Sequence, residues 1–173
     1  MIEILFLFFL LMIIGNVLWY SWRFGITPTP TSRKVGKSII DILPFIKEDQ
    51  RIYELGSGWG TMSFALATHY PQCEIYAFEI SPIPYFFSKL LNGRKNILYA
   101  RKDFLSVPLR QASLIFCYLY PGAMESLKEK LQNELQAGTW IITHTFAIRG
   151  WIPNKIFHAN DLYNTPIYIY LIK

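Results

Sequence analysis

Cysteine and acidic charge are both scarce in this chain. Only Cys73 and Cys117 occur among 173 residues, and no Cys/His cluster accompanies them, which excludes a disulfide scaffold and a zinc module. Two free thiols fit a reducing compartment. Asp and Glu total 12 against 17 Lys and Arg, so the net charge is +5. That surplus is not gathered: no basic run exceeds Arg33-Lys34, and a surface that tracks nucleic-acid phosphates needs more, so no nucleic-acid partner is expected. Charged residues make up 17% and hydrophobic residues 52%, the reverse of a disordered chain. Ten Gly and ten Pro are ordinary numbers, which removes collagen-like and low-complexity classes. No internal repeat is visible, no metal site is suggested, and the length suits one domain plus a short appendage.

What is present in excess is apolar surface at one end. From Ile4 to Trp22 the chain has 19 residues, 16 of them hydrophobic and none charged. As a helix rising 1.5 Å per residue this run is about 28 Å long, near the ~30 Å hydrocarbon core of a bilayer. Trp19, Tyr20 and Trp22 stand at its end, where aromatic rings favour the headgroup level. A cleaved signal peptide is disfavoured, because Glu3 rather than a basic residue precedes the run and no small-x-small site follows. Positive residues stay inside. Since Arg23, Arg33, Lys34 and Lys37 all follow the span, the reading is a single-pass anchor over 1–22 whose following domain faces the cytoplasm. Residues 23–32 form a Pro/Thr linker, and 33–173 form the domain. The basic surplus favours an anionic leaflet.

Beyond the linker the pattern alternates. Ser32 suits the cap of a helix over 33–43 with Val35, Ile39, Ile40 and Leu43 on one stripe. Strands are expected over Arg51–Leu55, Glu74–Glu79, Ile97–Ala100, Leu114–Tyr118 and Thr139–Thr145. Helices are expected over Thr61–Tyr70, Ile83–Leu91 (stopped by Asn92-Gly93) and Ala123–Leu135. Lys155–His158 and Ile167–Ile172 are joined without a helical pattern and suit an antiparallel hairpin at the sheet's end. Strands alternating with helices imply an α/β fold, doubly wound, with a mostly parallel Rossmann-like sheet.

Chemistry concentrates at strand ends. Glu54-Leu55-Gly56-Ser57-Gly58-Trp59-Gly60 follows one strand and opens a helix. Glycines there permit a tight turn and a close approach of ligand to main chain, and the helix N-terminus offers unpaired N–H groups. The dinucleotide spacing Gly-x-Gly-x-x-Gly is not met, because Thr61 occupies the sixth position. Glu79 ends the next strand, 21 residues after Gly58, where a carboxylate can accept bonds from both ribose hydroxyls of a nucleoside. Asp103 and Phe104 follow the third strand, placed to meet an adenine amine and the flat of the base. Each has a plainer reading: Glu54 buttressing the loop, Glu79 a solvated strand end, Asp103 a turn cap. Tyr118 and Tyr120 follow the fourth strand and could shape an amine channel; Tyr118 could equally be strand packing. The three histidines are scattered, and only His144 falls near a strand end facing the site. No general base is evident.

This constellation resembles the class I S-adenosylmethionine-dependent methyltransferases. The resemblance implies that Glu54, Gly56, Ser57, Gly58 and Gly60 belong to the part that holds the methionine moiety, Glu79 to the ribose, and Asp103 and Phe104 to the adenine. A narrower likeness is to the single-pass protein-lysine methyltransferases related to the enzymes that modify the mitochondrial ADP/ATP carrier and the ATP synthase c subunit. It rests on the apolar N-terminal helix, Thr27-Pro28-Thr29-Pro30-Thr31, the glycine turn, Tyr118-Leu119-Tyr120-Pro121, Lys128-Glu129-Lys130-Leu131, Leu135-Gln136-Ala137-Gly138, Thr145-Phe146, Trp151 and Pro153. Trp59 departs from that pattern, standing where a small acidic residue is commoner. The implied activity is methyl transfer from S-adenosyl-L-methionine to a lysine of a membrane-associated protein, with the bilayer itself as a partner. No Asn/Asp-Pro-Pro-Tyr follows the fourth strand, which disfavours methylation of adenine, cytosine or amide nitrogen. Two further readings stay open: methylation of a lipid or quinone-like small molecule, and a non-catalytic nucleoside-binding membrane protein.

Overall fold

The computed structural model describes residues 1–24, 29–91 and 93–173. Gly25–Pro28 of the expected linker and Asn92 of the expected helix stop lie outside the described residues, as do the side chains of 21–24. The N-terminal helix α1 spans Ile2–Phe24. Within it Ile2–Tyr20 is long and apolar enough to cross a membrane, and none of that stretch is buried against the rest of the protein.

Among the described residues, five helices, α1 included, and seven strands follow the expected alternation. After α1 come α2 (Arg33–Asp41), β1 (Arg51–Leu55), α3 (Thr61–His69), β2 (Glu74–Phe78), α4 (Pro82–Leu91) and β3 (Ile97–Ala100). A 3-10 turn over Phe104–Ser106 leads to β4 (Ala112–Cys117), α5 (Pro121–Glu134), β5 (Trp140–His144), β6 (Lys155–His158) and β7 (Pro166–Leu171). Local chemistry explains the boundaries. The Ser32 hydroxyl accepts the Val35 N–H at 3.3 Å and starts α2. Gly60 supplies the left-handed residue that starts α3. Pro121, whose missing N–H costs nothing at a helix start, opens α5 two residues before the expected Ala123. Strand β5 stops at His144 because Thr145 takes a positive φ of 68°.

The strands form one sheet in the order β3-β2-β1-β4-β5-β7-β6. The first five run parallel, while β7 pairs antiparallel with β5 and with β6. The expected hairpin is therefore present, with β7 inserted next to β5 and β6 outermost. Strand order reverses at the neighbours β1 and β4, and in such sheets ligands bind outside the carboxyl ends at that reversal. Alternate residues feed two cores. Ile52 faces one layer with Ile39, Leu66 and Phe116; Leu55 faces the other with Ile115, Leu127 and Leu131. Each of these side chains is buried.

Candidate functional site

The turn after β1 is built by glycines with positive φ: 77° at Gly56, 52° at Gly58 and 78° at Gly60. Gly56 and Ser57 each donate an N–H to the Phe78 carbonyl at 2.9 Å, which straps the turn to the end of β2. A Cβ on Gly56 would lie 2.8 Å from Leu119 Cδ2, so that position also lacks room. A Cβ on Gly58 would meet nothing within 4 Å, because it would point into open space.

Glu79 completes the turn from the neighbouring strand. Its Oε2 accepts the Gly58 N–H at 2.8 Å and its Oε1 accepts the Ser81 N–H at 2.7 Å. The side chain is buried, which answers the plainer reading of a solvated strand end. Each oxygen keeps a second lone pair for a hydroxyl donor.

Glu54 lies beneath the turn, buried and bonded by the Ser63 hydroxyl. Burial raises its carboxyl to about 8; the Ser63 bond opposes the shift and the nearby Glu79 adds to it. A carboxyl held neutral by burial ionises readily when a cation arrives beside it. Ser57 Oγ is buried and has no hydrogen-bond partner. An orphan hydroxyl of that kind at a strand end asks for a ligand or a water.

These groups line one cleft. Its walls are Glu54, Gly56, Ser57, Gly58, Trp59 and Glu79, joined by Tyr118 and Phe116 from the β4 side. Thr29, Pro30 and Thr31 close it from the segment before α2. Tyr118 falls just past β4, where it both lines the cleft and packs on the end of β5, stacking on His144 with ring centroids 4.0 Å apart. His144 Nε2 lies 3.1 Å from Thr31 Oγ1, and Nδ1 lies 3.0 Å from Thr145 Oγ1. Burial lowers the imidazole to about 4, so it is neutral at physiological pH. With both ring nitrogens engaged by hydroxyls, His144 serves to pin the segment before α2 across the sheet edge.

Other expected residues fall elsewhere. Gly60 caps α3 and donates its N–H to Ser57 O at 2.9 Å, outside the cleft lining. Asp103 Oδ1 accepts the Leu105 N–H at 2.9 Å and caps the 3-10 turn. Phe104 is buried in the core layer of α5. Glu79 N–H donates to Ala100 O at 3.2 Å, so the ends of β2 and β3 are tied and Asp103 begins three residues beyond that tie. Tyr120 is partly exposed, its ring lying against Gly122. Sequence reasoning missed Ser63 and Thr31. Ser63 sits nine residues after Glu54 and no spacing rule links them. Thr31 bonds His144 across 113 residues, and a Thr/Pro segment reads as a spacer until the fold returns β5 beside it.

A family model described as the ANTKMT methyltransferase domain matches residues 54–155. A protein-lysine N-methyltransferase of Saccharolobus islandicus (strain REY15A) is 30% identical over 149 residues, covering 83% of this chain and 91% of that protein. An adenine nucleotide translocase lysine N-methyltransferase of Mus musculus is 30% identical over 110 residues, covering 60% of this chain and 46% of the mouse protein. Among solved structures, an RNA methyltransferase from Salinibacter ruber in complex with S-adenosyl-L-homocysteine superposes with a TM-score of 0.71 at 22% identity, covering 83% of this chain and 94% of that one. Precorrin-6y C5,15-methyltransferase from Geobacter metallireducens GS-15 gives a TM-score of 0.65 at 14% identity, over 81% and 88% of the two chains. At those identities the two structures show the shared fold alone.

Proposed function

The chain belongs to the ANTKMT methyltransferase domain family and is an S-adenosylmethionine-dependent protein-lysine methyltransferase, and from this premise we propose that it modifies a membrane-associated protein through the cleft at the β1/β4 reversal. When bound, S-adenosyl-L-methionine supplies an electrophilic methyl group on a sulfonium centre. The residues fit such a molecule. The Gly58 position leaves the open space a close-lying ligand needs, the buried Ser57 hydroxyl lacks a partner, and Glu54 offers a carboxyl whose charge a cation would stabilise. Glu79 would hold ribose hydroxyls with its free lone pairs. Asp103 and Phe104, beyond the end of β3, would hold the adenine end. Gly56 and Gly60 hold the turn in shape around these contacts.

The acceptor side follows from the opposite wall. Methyl transfer is an in-line displacement, and positioning does most of its work. A lysine amine has a reference pKa of about 10.4 and must first lose a proton. Phe116 and Tyr118 form an apolar wall that desolvates an entering amine and so lowers its proton affinity. His144 is not the base, because both its nitrogens are already bonded. Tyr120, half-exposed just past Tyr118, would meet the substrate chain outside the cleft.

The membrane reading rests on α1. Residues 1–22 serve as a single-pass anchor and 23–32 as a linker, and the domain of 33–173 faces the cytoplasm, as the basic flank requires. Tethering raises the effective concentration of a membrane-bound acceptor. The mouse relative, an adenine nucleotide translocase lysine N-methyltransferase, supports a membrane protein as that acceptor.

The single observation that carries the reading is the Glu79 carboxylate bonded to the Gly58 amide at the mouth of a cleft with an orphan hydroxyl. The test is incubation of the full chain in membranes with methyl-labelled S-adenosylmethionine, followed by separation of protein from lipid. Label is expected in protein, released on hydrolysis as methyl-lysine. Label in the lipid extract would point to a small-molecule acceptor instead, and label nowhere would overturn a membrane-associated acceptor.

A further inference from the structure

Helix α4 is built inside out. Its apolar residues recur as Ile83, Phe86, Phe87, Leu90 and Leu91, the i, i+3, i+4, i+7, i+8 stripe that normally faces a core. Here that stripe faces outward: Phe86 is 61% exposed, Leu90 81% and Leu91 75%. The side turned inward carries Pro84 and the fully buried Ser88, whose hydroxyl is satisfied by the Tyr85 carbonyl at 2.9 Å. A soluble domain gains nothing from this arrangement, because burying Ser88 while wetting two phenylalanines and two leucines forfeits the main driving force for packing a helix.

We propose that α4 is an interfacial helix that lies in the surface of an anionic bilayer and fixes the domain's orientation on it. This rests on the reading of α1 as a membrane anchor. Two observations favour lipid over a protein occupant. The first is continuity: α1, which carries the membrane-length span Ile2–Tyr20, comes close to α4, so the helix that bears the exposed stripe neighbours the helix that enters the bilayer. The second is basic charge on α4, just past its end, and in the groove between α2 and α3. Lys89 stands exposed in the last turn of α4, and the Arg94 guanidinium lies 4.5 Å from the ring centroid of Phe64, itself half-exposed on α3. Phe64 shares a groove with Arg33 and Lys37 of α2. Apolar rings beside basic side chains are what an anionic headgroup surface takes: the rings enter the acyl boundary and the cations stay at the phosphates.

The placement bears on the reaction. Phe87 meets Trp59 at 5.7 Å between ring centroids, and Trp59 lines the catalytic cleft. A domain seated on α4 therefore holds its cleft mouth next to the membrane surface, and the reachable lysines are those within a side chain's length of the headgroups.

The test uses the full chain in vesicles of phosphatidylcholine and phosphatidylglycerol. Both native cysteines are buried, so a spin label goes to one introduced thiol at a time: Met12→Cys in α1, Leu90→Cys in α4, and Ile152→Cys, 92% exposed beyond β5. Accessibility to oxygen against a water-soluble nickel chelate reports depth. The expected result is preference for oxygen at 12 and 90 and for nickel at 152. Position 12 in lipid with position 90 in water overturns this inference and leaves the anchor standing. Both positions in water overturn the anchor as well. Broadening at position 90 that vanishes on dilution with unlabelled chain shows a second copy as occupant and also overturns it. Replacing phosphatidylglycerol by phosphatidylcholine should shift position 90 toward water while position 12 stays; an unmoved position 90 overturns the anionic preference.

Discussion

The Gly58 amide and the Glu79 carboxylate, 21 residues apart, meet at 2.8 Å, and this one bond ties the glycine turn of β1 to the end of β2. It makes Glu79 both part of the cleft wall and part of the scaffold that shapes it. The double role governs how substitutions there behave.

Glu79→Ala leaves the buried Ser81 amide without an acceptor, at about 1–3 kcal/mol, and frees the half-buried Gly58 amide to find water at a smaller cost. Loss of cofactor binding in that variant will thus come with loss of stability. Glu79→Gln is cleaner, since its carbonyl oxygen still accepts one amide. Titration calorimetry with S-adenosylmethionine should show at least a tenfold weaker affinity for Glu79→Gln, with a smaller fall in melting temperature than Glu79→Ala shows, because its NH2 group faces only one of the two N–H donors. An affinity within twofold of the parent protein removes Glu79 from the site.

Gly56→Ala and Gly58→Ala should separate folding from binding. Both positions have positive φ, a conformation costing a residue with a Cβ about 1–2 kcal/mol. At Gly56 the added methyl also strikes Leu119, so that variant should unfold or express poorly. At Gly58 the methyl has space but enters the cleft, so the variant should fold and bind S-adenosylmethionine weakly. Thermal melts alongside binding measurements on both variants check this, and tight binding by Gly58→Ala contradicts a ligand lying against that backbone.

Glu54 sets a pH dependence of the unliganded protein. Its folded pKa, raised by burial from 4.5 to about 8, means that its contribution is fully present below 4.5 and is lost as pH rises from there through 8. Glu54→Gln should remove this slope, so the stability difference between variant and parent grows in the variant's favour from pH 5 to pH 8.5. At pH 7 a cationic ligand beside Glu54 should drive off its proton. Calorimetry in two buffers of different ionisation enthalpy would then show proton release on S-adenosylmethionine binding by the parent and none by Glu54→Gln.

His144 slopes the other way. Its folded pKa is lowered to about 4 from 6.5, so the unfolded chain takes the proton first. Stability is intact above 6.5 and falls as pH drops through 4, by about 3 kcal/mol at most. His144→Asn should flatten that acid limb in urea melts. Thr31→Val, which keeps the shape and removes the hydroxyl bonded to Nε2, should cost about 1 kcal/mol and raise KM more than it lowers kcat, because the segment over the cleft is loosened.

Much of the fold could be read from the chain itself. The strands Arg51–Leu55, Ile97–Ala100 and Lys155–His158 fall on the expected bounds, because β-branched and aromatic runs are bracketed there by turn residues. The glycine turn and Glu79 were also legible, since a strand-end acid one unit after a glycine turn is a matter of spacing. Tyr118 was ambiguous because one residue decides whether a side chain belongs to a strand or to the loop after it. Asp103 and Phe104 illustrate the opposite case: their order along the chain suits an adenine pocket, while their local bonds make a turn cap and a core contact.

The sequence by itself determined the alternation of elements, the glycine turn and the membrane-length apolar helix, because each is a local property of spacing and side-chain type. Only the tertiary structure decided that Thr31 reaches His144, that Ser63 holds Glu54, and that the apolar stripe of α4 points outward. Periodicity fixes that a helix has two unlike faces. Which face meets the core depends on how the strands on either side of it are ordered in the sheet, and that is settled only when the whole chain closes.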